Sequence, residues 1–539
     1  MYPSNPRLTG KKLKKQKANS CNSGEKYVQI IRDGRALLLK LRNPQQVTAV
    51  IPKSKELPDN KVLVNWGLDE TRVLNNLKIA APSPIQKQYK WAGNLTPFTH
   101  QKTTSAFLTL NRRAFCFNEQ GTGKTASAIW ASDFLLDRKI INRVLVICPL
   151  SIMDSAWRDD LSKFAPHRSV DVAYGNAKQR REILAQGADY VIINYDGVAI
   201  LADEISEGGF DLIIVDEATH YKNAQTIRWK TLNRLITSGQ WLWMMTGTPA
   251  AQSPLDAYGL AKLVNPKSVP RFFGSFRDQL MIKITNFKWV PRDTATDTVF
   301  RALQPAIRFT KDECLDLPPM VYTKREVPLT RQQKKYYEEL RKKLVMDITG
   351  EQITAVNAAV AMNKLLQISV GAIYTDDGNV LEFDIKHRYK VLREVIDESS
   401  QKVLVFVPFK HAIAILTEKL RKDGITTEVI QGSVSAPQRT QIFKTFQQTP
   451  DPRVLVIQPQ AAAHGVTLTA ANTVVWWGPT SSLETYAQAN ARVHRPGQAH
   501  KCTVVQLHGS AVEKRVYTLL DKRIDVHTKM IELYEELLD

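Results

Sequence analysis

From about residue 91 the chain alternates continuous apolar stretches with segments of helical spacing. The apolar stretches are VLVIC (144–148), YVIIN (190–194), LIIVDE (212–217) and WLWMMTGTP (241–249). Strands apolar on both faces belong to a parallel sheet covered by helices on each side. The pattern lapses over 265–385, where TRQQKKYYEELRKKLVMD and TAVNAAVAMNKLLQI read as helices. It returns in VLVFV (403–407), TEVIQG (427–432), VLVIQP (454–459), TVVWWG (473–478) and TVVQLHG (503–509), and a helix over 510–538 closes the chain. Ahead of all this, YVQII, ALLLKL, VTAVI and KVLVNW come as short bursts around Asp33-Gly34, which predicts a small β-rich unit.

The expected organisation follows. Residues 1–24 form a disordered basic tail and 25–90 a small β-rich accessory domain, with SPIQKQYK (83–90) as connector. Residues 91–264 form a first α/β lobe, 265–385 a helical region between lobes, 386–525 a second lobe and 526–539 the end of the last helix. The fold class is α/β, two doubly wound units in tandem with helical insertions.

Composition narrows the function class. Hydrophobic content of 43% and charged content of 24% are those of a soluble globular protein. There is no apolar run of membrane-spanning length, and MYPSNPRLTGKKLKKQK lacks the apolar core of a signal peptide. The cysteines (Cys21, Cys116, Cys148, Cys314, Cys502) are scattered and form no C-x-x-C pair, which argues for a reducing compartment and against a zinc site. The net charge is +21. Only Arg7, Lys11, Lys12, Lys14, Lys15 and Lys17 of the excess lie in the acid-free first twenty residues. Most of it belongs to the folded body and points to a polyanionic partner.

The candidate chemistry begins at FNEQGTGKT (117–125), which follows the apolar AFCF (114–117) and precedes the helical TASAIWASDFLL (125–136). A strand, a glycine-rich turn and a helix N-terminus make an anion site. Gly121 and Gly123 let the backbone N–H groups turn inward, Lys124 reaches the β- and γ-phosphates of ATP, and the Thr125 hydroxyl ligates Mg²⁺. Where the common phosphate-loop pattern has its first glycine, however, Asn118 stands. Asp216, after an apolar strand, is placed to hold the same Mg²⁺, and Glu217 to polarise the attacking water. Gln101 is a candidate reader of an adenine edge, against the plain alternative of a surface glutamine. TGTP (246–249) offers hydroxyls that sense the γ-phosphate or simply cap a helix. In QANARVHRPGQ (488–498), Arg492 and Arg495 are three apart, on one face of an expected helix, as arginine fingers toward the first lobe's triphosphate. Glu119, Thr122 and Gln488 complete the candidate ATP-binding set.

Taken together these motifs resemble superfamily-two helicases, and among them the SWI/SNF-type (sucrose-non-fermenting) DNA-translocating ATPases. Members of that family begin their loop D-E-x-G-x-G-K-T, which Asn118–Thr125 fits better than the general pattern. In order along the chain, CPLSIMDSAWRDDLSKF (148–164), DEATHYKN (216–223), TGTP, KVLVFVPF (402–409), IQGSVSAPQR (430–439), HGVTLTAANTVV (464–475) and VHRPGQ (493–498) resemble the family's segments. Thr219 stands where the family has histidine, Ala491 where an acid precedes the first arginine, and SSLETYAQ (481–488) lacks its W-N-P. Bromodomain- or chromodomain-like readers are not expected within these residues, and the sequence looks most like the compact bacterial and bacteriophage forms.

The resemblance implies two RecA-like lobes and an ATPase that binds double-stranded DNA and steps along it as a monomeric motor. It also implies ATP and Mg²⁺ as cofactors, Gly465 at the lobe interface, and Ser151, Asn223 and Ser433 as DNA contacts. Branched or forked DNA is a candidate substrate for residues 1–90. The expected location is the cytoplasm, or the nucleus in a eukaryote. The alternatives are a strand-separating RNA or DNA helicase, the motor of a restriction-type complex, and a non-catalytic DNA-binding scaffold. Against the RNA helicase, H-R-x-G-R-x-G-R and S-A-T are missing.

Overall fold

The computed structural model describes residues 27–93, 95–247, 249–250, 253–285, 289–314, 317–348, 355–374, 379–462 and 466–522. The basic tail, Gly465, Thr248 and the end of the last helix lie outside them.

The N-terminal unit is an antiparallel sheet of β1 (Tyr27–Ile31), β2 (Ala36–Lys40), β3 (Lys55–Leu57) and β4 (Lys61–Asn65), in the order β1-β2-β4-β3. Leu37, Leu39, Val62 and Val64 alternate onto its buried face with Val47, Trp66 and Leu74. VTAVI, expected as a strand, is a helical turn instead. The Pro44 carbonyl accepts from Val47 and Thr48, and Val47 is buried by this turn. The unit is fastened to the first lobe by Arg72, whose guanidinium donates to the carbonyls of Leu110 (3.1 Å) and Thr109 (2.8 Å) and stacks on Trp241. Those carbonyls end the helix Thr99–Leu110, where a cation is favoured.

The first lobe's strands are β5 (Arg113–Cys116), β6 (Val144–Cys148), β7 (Val170–Val172), β8 (Tyr190–Asn194), β9 (Leu212–Val215) and β10 (Trp241–Met245). In β10, Leu242 and Met244 face one helical layer while Trp241, Trp243 and Met245 face the other. Both faces are dry, so no polar alternation survives in the sequence. A hairpin of β11 (Met281–Lys283) and β12 (Trp289–Pro291) follows, and then β13 (Ala306–Ile307), which completes a parallel seven-stranded sheet ordered β13-β5-β10-β9-β6-β8-β7.

The next strand, β14 (Met320–Glu326), belongs to the other lobe. After the helices Arg331–Ile348 and Ala355–Val370 and the hairpin of β15 (Ala372–Tyr374) and β16 (Val380–Glu382) come β17 (Lys402–Phe406), β18 (Thr427–Ile430), β19 (Val454–Ile457), β20 (Ala471–Trp476) and β21 (Cys502–His508). These make a parallel sheet ordered β14-β21-β20-β17-β19-β18. Residues 265–385, expected to be helical, thus also lend one edge strand to each lobe. The chain crosses from lobe to lobe between β13 and β14, and the described residues 308–314 of that connection form a strap.

Candidate active site

The loop after β5 is held by the strap. Phe117 N–H donates to the Ile307 carbonyl (2.8 Å) and Glu119 N–H to the Phe309 carbonyl (2.9 Å), which continues the β5–β13 pairing into the loop. Asn118 takes part with its side chain. It is fully buried, its Nδ2 donates to Thr104 Oγ1 (2.8 Å), and its Oδ1 accepts from Phe309 N–H (3.0 Å). A glycine cannot join three elements in this way. Replacing Asn118 with alanine strips partners from buried polar groups, and should lower stability by about 1–3 kcal/mol, read as a fall in denaturation midpoint.

Gly121 and Gly123 have φ of +86° and +82°. Side chains also crowd both positions. A Cβ on Gly123 would lie 2.0 Å from Gln101 Nε2, and one on Gly121 would lie 3.3 Å from Arg495 Cγ. The Thr122 carbonyl accepts from Gln101 Nε2 (3.3 Å) and faces His100 Nε2 at 2.7 Å, which places that ring's proton on Nε2. Gln101 Oε1 accepts from Phe98 N–H (2.9 Å), so both ends of this amide are engaged within the protein. Thr122 Oγ1 donates back to the Glu119 carbonyl (2.8 Å). Lys124 begins the helix Lys124–Asp137 and is only 9% exposed, with half-buried Thr125 next to it.

Asp216 and Glu217 follow β9 at the carboxyl edge of the same sheet, where ligands of open α/β sheets bind. Trp157 Nε1 donates to Asp216 Oδ2 (2.9 Å), Glu217 N–H to Asp216 Oδ1 (3.0 Å), and Tyr195 Oη to the Asp216 carbonyl (2.7 Å). Burial pushes the Asp216 carboxyl up, and Lys124 opposes that shift most strongly. Glu217 has φ +48° and ψ +57°, a left-handed conformation that costs a non-glycine residue roughly 1–2 kcal/mol. Its side chain is pushed up to about 7 by burial and then by Asp216, with Lys124 and Arg492 pulling it back. Among the described residues its Oε2, and Oε1 of Gln120, are buried with no hydrogen-bond partner.

The second lobe closes the pocket. Arg492 is 2% exposed, and its charge is disfavoured by burial and Arg495 but supported by Glu217. Arg495 is opposed by burial and supported by Asp160 and Glu217, both of the first lobe. The two arginines are not on a helix, contrary to expectation. The helix Leu483–Asn490 ends as Arg492 N–H tightens onto the Ala489 carbonyl (3.1 Å), and the Arg492 carbonyl, to which Pro496 has no N–H to donate, accepts from Leu468 N–H (2.9 Å). Both arginines sit in the turns that follow. Gln488 Nε2 donates to Glu484 Oε1 (3.1 Å), and Thr219 Oγ1 lies 3.5 Å from that same oxygen, across the cleft.

Lys124, Asp216, Glu217, Arg492 and Arg495 thus share one cleft, lined by Glu119, Gly121, Thr122, Gly123 and Thr125. The three other candidates stand apart from it in kind. Ser151 lies in the helical turn Leu150–Ile152, Asn223 is exposed with Oδ1 accepting from Gln225 N–H (2.9 Å), and Ser433 is exposed in the turn after β18. Sequence reasoning passed over Trp157 as an Asp216 donor, the Asn118 latch, Glu484, and Lys311 on the strap. For Trp157 the signal was its place in the segment CPLSIMDSAW (148–157); for Lys311 there was none.

Comparison with known proteins agrees with this two-lobed arrangement. The SNF2-related domain matches residues 64–371, and the helicase conserved C-terminal domain matches 387–497. The chain is similar to an ATP-dependent helicase of Mycoplasma genitalium, at 26% identity over 77% of this chain and 40% of that protein. It is similar to protein p41 of Acyrthosiphon pisum secondary endosymbiont phage 1, at 26% identity over 75% of this chain and 90% of that one. It is also similar to the human DNA annealing helicase and endonuclease ZRANB3, at 25% identity over 77% of this chain and 38% of that protein. The chain therefore spans less than half the length of the Mycoplasma and human relatives and most of the length of the phage protein. Since the first of these domains covers more than half of its residues and the second follows in register on the other lobe, the chain belongs to the SNF2-related family of ATP-dependent helicases.

Proposed function

We propose that the chain is a DNA-dependent ATPase whose lobes close on ATP and reopen after hydrolysis, moving it along duplex DNA. The observation that carries this reading is Glu217: a buried carboxyl beside Asp216, held in a strained backbone conformation and facing arginines of the opposite lobe. Strain kept at such a point is strain kept for chemistry.

The Thr125 hydroxyl and the Asp216 carboxylate, hard oxygen donors beside the orphaned oxygen of Glu217, suit Mg²⁺ and would hold it. The ion supplies charge neutralisation on the β- and γ-phosphates. The loop amides over Gly121–Lys124 and the Lys124 ammonium hold the phosphate chain. Glu217 takes a proton from water as the water oxygen bonds to the terminal phosphorus. The bond from that phosphorus to the bridging oxygen breaks, and ADP leaves with the electron pair. Arg492 and Arg495 stabilise the charge that develops on the transferring group. The Thr219–Glu484–Gln488 contact supplies a polar link by which the nucleotide's state reaches both lobes.

Duplex DNA as partner is supported by the net charge of +21 and by the similarity to a human DNA annealing helicase. Contacts through Ser151, Asn223 and Ser433 would go to phosphates, and binding should weaken steeply with salt.

Steady-state ATP hydrolysis with duplex DNA, single-stranded DNA, RNA or no nucleic acid tests the proposal, beside Lys124→Ala. Strong stimulation by duplex, lost in Lys124→Ala, is the expected result. Stimulation by RNA alone would replace the reading with an RNA helicase. No hydrolysis under any condition would leave a scaffold.

A further inference from the structure

We propose that Lys311 is a further phosphate-binding cation of the nucleotide pocket, delivered by the strap between the lobes, and that it contacts the terminal phosphate. This rests on the nucleotide reading above and adds to it a residue that neither lobe's motifs supply.

Position is the first argument. The strap runs beside the loop residue by residue, and Lys311 N–H ends that register by donating to Glu119 Oε2 (3.2 Å). The backbone of Lys311 is therefore fixed against the loop. Its side chain then lies over Gly121: Lys311 Cε is 3.4 Å from where a Cβ on that glycine would stand. The other side chain at the same point is Arg495, with Cγ at 3.3 Å. The two cations flank one glycine of the loop, on the side from which the second lobe arrives.

Charge balance is the second argument. Lys311 faces Arg495 and Arg492 from the turns after the second lobe's helix, Lys124 and Glu119 from the loop, and His494 and Cys502 from the second lobe, with Asp312 and Glu313 next to it on the strap. Four cations meet in a largely buried cleft that also holds Asp216 and Glu217, and Glu119 is the acid that supports Lys311 there. Burial, then Arg495, pushes the Lys311 ammonium down to about 8. On the Lys311–Arg495 side of the cluster the supporting acids are Glu119, Asp160 and Glu217, and an anion bearing several charges, as a nucleoside triphosphate does, suits the cations that meet there. The loop amides cradle the inner phosphates and Lys124 reaches the β- and γ-phosphates, so the Lys311–Arg495 side adds cations toward the outermost one.

Placement gives the contact a consequence. Two residues before Lys311 the strap is bonded to the first lobe's loop, and nine residues after it β14 is an edge strand of the second lobe's sheet. A phosphate that engages Lys311 pulls on the connection between the lobes.

The sign of the pH dependence follows. A bound anion favours protonated Lys311, so its contribution to ATP affinity is present below pH 8 and is lost as pH rises above it. Calorimetric titration of the full chain with ATP and with ADP, at pH 7 and pH 9, tests this with Lys311→Gln and Lys311→Arg. Lys311→Gln should weaken ATP at pH 7 by about tenfold more than ADP, a single charge-assisted contact. Wild-type ATP affinity should fall between the two pH values, and Lys311→Arg should keep the affinity and flatten the fall, because its charge does not titrate. A Lys311→Gln chain with the wild-type ATP:ADP ratio and the wild-type pH profile would overturn the proposal; so would equal losses for both nucleotides. Should Lys311→Gln not fold, the comparison of wild type with Lys311→Arg decides alone: identical pH profiles reject the assignment. Wild type that binds no ATP at all would reject the nucleotide reading itself, a separate result.

Discussion

The double variant Arg492→Ala, Arg495→Ala is expected to lose about 10³–10⁵-fold in ATP turnover, the scale of arginine-finger removal, with ATP affinity changed far less. The guanidiniums come from the lobe opposite the loop, so they contribute fully when the cleft is closed around a phosphoryl group in transfer. Arg492 is buried and Arg495 half-buried, and desolvation works against the charge of both. Desolvated cations aimed at developing negative charge act with little screening and without reorganisation. Glu217 and Asp160 offset the cost of holding them there before ATP arrives. The side-chain change spares the Leu468-to-Arg492 backbone hydrogen bond that shapes the turn, so the fold should survive, and a thermal melt checks that it does. Comparing turnover with equilibrium ATP binding separates the outcomes. Equal losses in both would make the arginines binding groups, and unchanged turnover would remove them from the chemistry. Arg492→Lys should not rescue, because a lysine cannot reproduce the fork of donors.

The second large effect is expected at Glu217. Glu217→Gln keeps the size of the side chain and the left-handed backbone but removes the proton acceptor, and should slow hydrolysis by about 10²–10⁴-fold. Nucleotide binding should hold or tighten. The carboxyl is buried beside Asp216, and each raises the other's cost of ionisation, so a neutral amide relieves that repulsion. The variant should therefore accumulate as an ATP-bound chain that turns over slowly. Single-turnover hydrolysis with a nucleotide-retention measurement shows this directly. Turnover near the wild-type rate would mean that another group activates the water, and the buried Glu217 Oε2 would then be strain without a catalytic purpose.

The chain itself carried the secondary structure of both lobes. VLVIC, YVIIN and WLWMM coincide with β6, β8 and the strand of β10, because strands buried on both faces must be apolar without interruption. The loop, the Asp216-Glu217 pair and the two arginines were likewise legible as chemistry, since each is a short run of residues whose types have few other uses together. The ordered motifs also disclosed the family.

Other features were invisible there for one physical reason: they join residues far apart in the chain through contacts that leave no periodic trace. VTAVI became a helical turn because Pro44 and the burial of Val47 outweighed β-branched propensity. The arginines left the helix where Arg492 N–H turns to the Ala489 carbonyl and the Arg492 carbonyl, which Pro496 cannot serve, takes the N–H of Leu468 instead. Asn118, which reads as a departure from a glycine pattern, is a latch only once β13 lies beside β5, 191 residues away in its bond to Phe309. Lys311 is one lysine among many until that same strap carries it over Gly121. Local sequence determined the elements and the reactive groups, whose preferences act within a few residues. Which groups meet in the cleft, and which cations are stripped of water there, was decided by the closure of two sheets through a strap that belongs to both.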